Sequence, residues 1–111
     1  TVLQSLACGT PPILPHFAGV TDFCTEVNSY ASPYILHVGG YHVHRAVSSF
    51  TDYAACIERA YVNREELQKK AEQGVKDAAK YTWDVCVDSW DQAINEVMKY
   101  PTDSIRATRV V

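Results

Sequence analysis

Apolar and polar positions alternate with a helical period over much of the second half of the chain. The clearest run is Trp83, Cys86, Val87, Trp90, Ala93, Ile94 and Val97, which recur every three to four residues. Thr82 stands where a helix opens and Pro101 where one stops. Trp83 and Trp90 lie two turns apart on one face and are expected to be mostly buried. Before this helix, Leu67, Ala71, Val75 and Ala78 form a narrow stripe on a helix that starts at Asn63-Arg64-Glu65-Glu66 and runs to about Lys80. The rest of that helix reads as charged and solvated, and Gly74 weakens it while permitting close packing. An earlier helix follows Ser49-Phe50-Thr51-Asp52, a capping box with a shorter acid, and carries Tyr53, Ile57, Ala60 and Tyr61 at helical spacing.

The first half has a different texture. Leu3, Leu6 and Ala7 share one face of a helix at the start of the chain, and Gly9 is placed to end it in the left-handed conformation. Pro11 and Pro12 can neither continue a helix nor donate within a sheet, so Ile13 and Leu14 are left to form a short strand. A loop follows, in which Gly19 marks a sharp turn or a close approach. Thr21 reads as the N-cap of a short helix with Asp22 in its first turn, where the helix dipole favours a carboxylate. Tyr34-Ile35-Leu36-His37-Val38 is a β-rich run closed by Gly39-Gly40 and reads as the next strand. Residues 39–47 are expected as a loop or a hairpin.

With 111 residues, the chain can build one core. Apolar residues are 47% and charged residues 21%, an ordinary globular balance. The net charge of −3 comes with no basic stripe, so nucleic acid is not an expected partner. The apolar runs are too short to cross a membrane, and the first residues lack the form of a signal peptide. The chain begins without Met and inside a helical pattern, so a piece of something longer is expected.

Cys8, Cys24, Cys56 and Cys86 are far apart with no paired spacing, which reads as four reduced, mostly buried thiols without a disulfide. His42-x-His44 would face one way on a strand, but no acid or thiol cluster accompanies it, so no metal site is expected. His16 and His37 read as loop or sheet residues without chemistry.

Leu6-Ala7-Cys8-Gly9-Thr10-Pro11-Pro12-Ile13-Leu14, followed by Ala18-Gly19, resembles the donor-binding half of GT-B glycosyltransferases, in particular the retaining family 4 type. There a helix "Glu-Ala-Met-Ala-Cys-Gly-Thr-Pro" runs into a "Val-Ile" strand and a "Gly-Gly-x-x-Glu" loop. Thr21-Asp22-Phe23-Cys24 with Asn28-Ser29-Tyr30 looks like a subset of these enzymes in phage and bacterial sequences. The Asn63-Arg64-Glu65-Glu66 helix and Tyr81-Thr82-Trp83, similar to the family's "Phe-Ser/Thr-Trp", extend the likeness over residues 3 to 98. Gln4 falls at the second Glu of the family's Glu-x7-Glu motif, where the carboxylate accepts hydrogen bonds from the donor's ribose. Gln keeps a carbonyl acceptor and adds two donors, without the charge. Ala18-Gly19 stands in place of Gly-Gly, and Asp22 where Glu is common.

The expected fold is therefore α/β: part of a Rossmann-like GT-B C-terminal domain, with short parallel strands followed by three helices. Residues 1–100 would form that part of the donor-binding domain, and 101–111 a tail that is mobile or pairs with a strand from outside. The resemblance implies a transferase that moves a sugar from a nucleotide-diphosphate donor to a glycan, lipid or protein acceptor with retention, in the cytoplasm or peripherally at a membrane. Gln4, Gly19 and Asp22 would contact the donor, the N-terminus of the first helix would face its diphosphate, and the catalytic residues and an N-terminal part would lie elsewhere. No cofactor is implied. A non-catalytic GT-B-like binding module and another GT-B enzyme, such as a sugar-nucleotide epimerase or a phosphorylase, are the alternatives.

Overall fold

The computed structural model describes residues 1–100. The protein is α/β, and it separates into two compact units, Thr1–Lys80 and a second that begins at Tyr81.

The first unit opens with α1 (Val2–Ala7), whose end follows from its sequence. Gly9 takes φ +69°, its N–H donates to Leu6 O at 2.9 Å, and the Thr10 N–H donates to Ser5 O at 2.9 Å. These two bonds are the Schellman closure of a helix, and Ser5 Oγ adds a third by donating to Thr10 O at 2.6 Å. The chain is thereby turned into β1 (Ile13–Leu14). β1 pairs in parallel with β2 (Tyr30–Ala31), a strand that no periodicity announces because it is only two residues long.

The segment between them departs from expectation. Instead of a helix capped by Thr21, a 3₁₀ turn spans Ala18–Asp22, with Phe17 as its N-cap. Thr21 lies inside the turn and its Oγ1 donates to Ala18 O at 2.7 Å, so the hydroxyl closes the turn instead of starting a helix. Asp22 accordingly ends the element and does not sit in a first turn.

The β-rich run gives β3 (Ile35–Val38), but not as another parallel strand: it forms an antiparallel hairpin with β4 (His44–Val47). Tyr41 and His42, the central residues of the connecting turn, take φ 60° and 57°, the mirror-image turn geometry that matches strand twist. His42 is therefore in the turn and His44 in β4, and the two do not share a strand face.

Three helices follow: α2 (Phe50–Val62), α3 (Arg64–Ala78) and, in the second unit, α4 (Trp83–Met98). Their caps are those the sequence predicts. Ser49 Oγ accepts from the Asp52 N–H at 3.1 Å, Asn63 Oδ1 from the Glu66 N–H at 3.1 Å, and Thr82 Oγ1 from the Val85 N–H at 3.4 Å.

Leu6, Cys24 and Ala78 form the core of the first unit, with Val2, Leu3, Leu14 and Phe23 packed on it. α1 lies against α3 at Gly74, where an added Cβ would come within 3.0 Å of Leu6 Cδ2. Three helical stripes are corrected. The buried face of α3 is Lys70, Gly74 and Ala78, while Val75 is exposed. On α2, Ile57 and Tyr61 are exposed and the half-buried face runs through Tyr53, Cys56 and Ala60. On α4, Trp83 and Trp90 are 84% and 65% exposed, against the expectation of burial. Periodicity shows which side of a helix could be covered, and says nothing of whether it is. The thiols are likewise less buried than expected: all four are free, Cys24 is buried, and Cys8 and Cys86 are exposed.

Candidate functional site

The site begins at the carboxyl end of β1. From Leu14 the chain enters residues 15–29, the loop that carries Gly19 and Asp22, before returning to β2. Both residues are exposed, and an added Cβ at Gly19 would meet nothing within 4 Å. Gln4 is exposed on α1, and its carbonyl accepts the Cys8 N–H at 3.0 Å as part of the helix ladder. Gly19 and Asp22 share the 3₁₀ turn, while Gln4 sits on a separate element.

The second half of the same loop is fixed by an extensive polar network. Thr25 to Asn28 closes a tight turn: the Thr25 N–H donates to Asn28 Oδ1 at 2.8 Å, and the Asn28 N–H returns to Thr25 O at 3.2 Å. The amide nitrogen of Asn28 then donates to Phe23 O and to Asp77 Oδ2 on α3, each at 3.0 Å. Asn28 is 1% exposed, and both ends of its amide are satisfied, as burial of so polar a group demands. Ser29 Oγ donates to Thr25 O at 2.6 Å and is hydrogen-bonded to His16 Nε2 at 2.9 Å. His16 has a structural partner, where the sequence read it as a loop residue without chemistry.

Lys70 is the principal correction to the reading of α3 as solvated outside its apolar stripe. It is 5% exposed, and its ammonium donates to Glu26 O and to Ser29 O, the latter at 3.0 Å. A buried charge is tolerated only when paired and hydrogen-bonded, and Glu66 Oε1 supplies the counter-charge at 3.6 Å. The Tyr30 ring lies beneath two cations, Lys70 Nζ at 4.9 Å and the Arg59 guanidinium at 5.7 Å from its centroid. Arg59 forks onto Glu66, with Nε at 3.0 Å from Oε2.

Several groups are shifted by these contacts. The hydrogen bond from Arg59 holds the Glu66 carboxyl below its ordinary value. Asp77 is held low first by Lys80 and then by Gln73 and Asn28. Burial pushes up the Tyr30 phenol, whose hydroxyl has no hydrogen-bond partner among the described residues, and the Cys24 thiol. Within the same network the Ser29 hydroxyl lies 2.9 Å from His16 Nε2, and His16 Nδ1 lies 3.9 Å from Glu26 Oε1.

A shallow cavity of about 240 Å³ opens beside β2, between Ala31, Pro33, Asp52, Ala55, Cys56 and Arg59. Cys56 Sγ donates to Ala31 O there at 3.8 Å. Neither this cavity nor its neighbour by the hairpin is lined by Gln4, Gly19 or Asp22. Among the described residues no three His, Cys, Asp or Glu side chains gather in a way that could hold a metal. No described helix is long and apolar enough to cross a membrane. The tail expected over residues 101–111 lies outside the described residues.

The chain matches no protein-family model, no curated protein and no solved structure.

Proposed function

We propose that this chain is part of the donor-binding half of a retaining GT-B glycosyltransferase, taking a nucleotide-diphosphate sugar. The observation that supports this most is where the loop starts. In open α/β sheets, ligands bind beyond the carboxyl ends of parallel strands, and the loop with Gly19 and Asp22 springs from the carboxyl end of β1 in a parallel pair. The Rossmann-like character of the whole domain belongs to the same proposal.

In this reading Gln4 accepts from a ribose hydroxyl through its side-chain carbonyl, and the turn at Gly19 gives the donor close access to backbone. Asp22 ends the same turn and is exposed. Backbone N–H groups at the start of the first helix face the diphosphate, whose departure must be stabilised electrostatically for the sugar to leave. The first Glu of the motif, the cations on the diphosphate and the acceptor site come from elsewhere in the enzyme. The reaction passes through an oxocarbenium-like transition state, and the sugar keeps its anomeric configuration.

Calorimetric titration of the intact transferase with nucleotide-diphosphate sugars tests this. Gln4→Ala should weaken binding by about 1 kcal/mol, the net worth of one hydrogen bond. Unchanged affinity removes Gln4 from the site. The amide at Gln4, in place of the family's carboxylate, favours a second reading, a non-catalytic binding module. Binding of the sugar nucleotide without release of nucleoside diphosphate would select it.

A further inference from the structure

We infer that Lys70, far from the donor in sequence, is a positioning residue that holds the loop bearing Gly19 and Asp22 against α3. This rests on the donor-binding reading above. Lys70 reaches back across more than forty residues to two main-chain carbonyls, Glu26 O and Ser29 O, that close the carboxyl half of the loop. The ammonium donates to the two carbonyls, and the Glu66 carboxylate stands 3.6 Å away as its counter-charge. Both carbonyls belong to the main chain of the loop itself.

The clamp has a second jaw. Asn28, between those two carbonyls in sequence, donates to Asp77 on the same helix. Lys70 and Asp77 stand on α3, and together they tie down residues 26 to 29 at both carbonyl and side-chain level. Removing the ammonium would leave two carbonyls without their charged donor, and the Glu66 carboxylate without one of its two cations. Opening of such a local unit costs less than global unfolding, so the loop should loosen while the helices persist.

Cys24 provides a native reporter, because it lies within this loop and is buried against Leu6 and Ala78, whereas Cys8 and Cys86 are exposed. In Lys70→Met, maleimide labelling of Cys24, read by mass spectrometry at fixed pH, should speed up by about tenfold or more. Helicity by circular dichroism and the labelling rate of Cys56 should stay as they are. Lys70→Arg, which keeps a cation and several donors, should restore slow labelling. If the Met variant does not fold, Lys70→Gln, which retains one donor pair, takes its place.

The same variants are titrated with a nucleotide-diphosphate sugar in the intact transferase, where Lys70→Met should lower affinity about fivefold and Lys70→Arg should recover it. Unchanged Cys24 labelling overturns the inference, as does a parallel rise at Cys56 with loss of helicity, which is global unfolding. Faster Cys24 labelling with undiminished donor affinity overturns the positioning role. Faster Cys24 labelling in a protein that binds no sugar nucleotide even as wild type supports the clamp and removes the donor-binding reading.

Discussion

Asp77 carries more of this protein than its position near the end of a helix would suggest. It accepts hydrogen bonds from Lys80, Gln73 and Asn28, and all three hold its carboxyl below the ordinary value. A carboxyl depressed in the folded state binds fewer protons there than in the unfolded chain. Its contribution to stability is therefore complete above the unfolded-state pKa, near pH 4, and is lost as pH falls through the lower folded value. Urea midpoints followed by circular dichroism should drop on acidification from about pH 5 to about pH 3, and Asp77→Asn should flatten that drop. An equal pH dependence in the variant would mean that other carboxyls, Glu66 among them, govern it. Neither Asp77 nor Lys70 was legible from sequence. Their partners are 49 and 41 to 44 residues away, and a local pattern cannot show which charge will be buried by a distant loop. Lys70 does sit four residues before Gly74 and eight before Ala78, so the buried stripe was visible once Gly74 was known to face α1. Of the candidate donor residues, the sequence could name Gln4, Gly19 and Asp22 only through a resemblance, and it carried no signal for the network that supports their loop.

Elements whose ends are set by local chemistry were legible, and those set by pairing were not. The stop at Gly9 and the starts at Ser49, Asn63 and Thr82 each rest on one side chain or one left-handed residue acting within a few positions. β2 and the 3₁₀ turn depend instead on hydrogen bonds made when β1 is already in place, such as the Tyr30 N–H to Pro12 O at 2.9 Å. The α1–α3 contact gives a sharp test at this scale. Alanine is worth about 1 kcal/mol more than glycine in a helix interior, whereas forcing a methyl into a filled core costs about 1–3 kcal/mol. At Gly74 the new methyl would meet Leu6 Cδ2 at 3.0 Å, and Leu6 is 1% exposed, so its side chain has little room to yield. Gly74→Ala should therefore lose about 1 kcal/mol of unfolding free energy in urea, despite the better propensity. A net gain would show that Leu6 repacks freely and that the two helices are not held at closest approach.

The two units differ in how they bury apolar surface. In the first, a small core of Leu6, Cys24 and Ala78 is ringed by half-buried neighbours and backed by a polar network. In the second, every described residue of α4 is exposed, including both tryptophans of the chain. Tryptophan emission from the folded 111-residue chain should accordingly resemble water-exposed indole, and Trp90→Ala should cost less than about 1 kcal/mol, far below the 3–5 kcal/mol of a buried aromatic. A blue-shifted maximum in the folded chain, lost in Trp90→Ala, would show that the α4 face is covered in solution. The strong period of α4 predicts the helix that forms but not whether its apolar face is covered, since amphipathicity fixes an orientation without naming a neighbour.

Hydrogen–deuterium exchange on the protein, with and without a saturating nucleotide-diphosphate sugar, asks directly whether residues 1–9 and 15–29 hold the proposed donor. Slower exchange should appear in peptides covering α1 and the Gly19–Asp22 turn, and should diminish in Gln4→Ala, with α4 and the hairpin unaffected. Donor binding that leaves those two segments unchanged, or protection confined to the hairpin or to α4, would contradict the proposal that this chain is a donor-binding half.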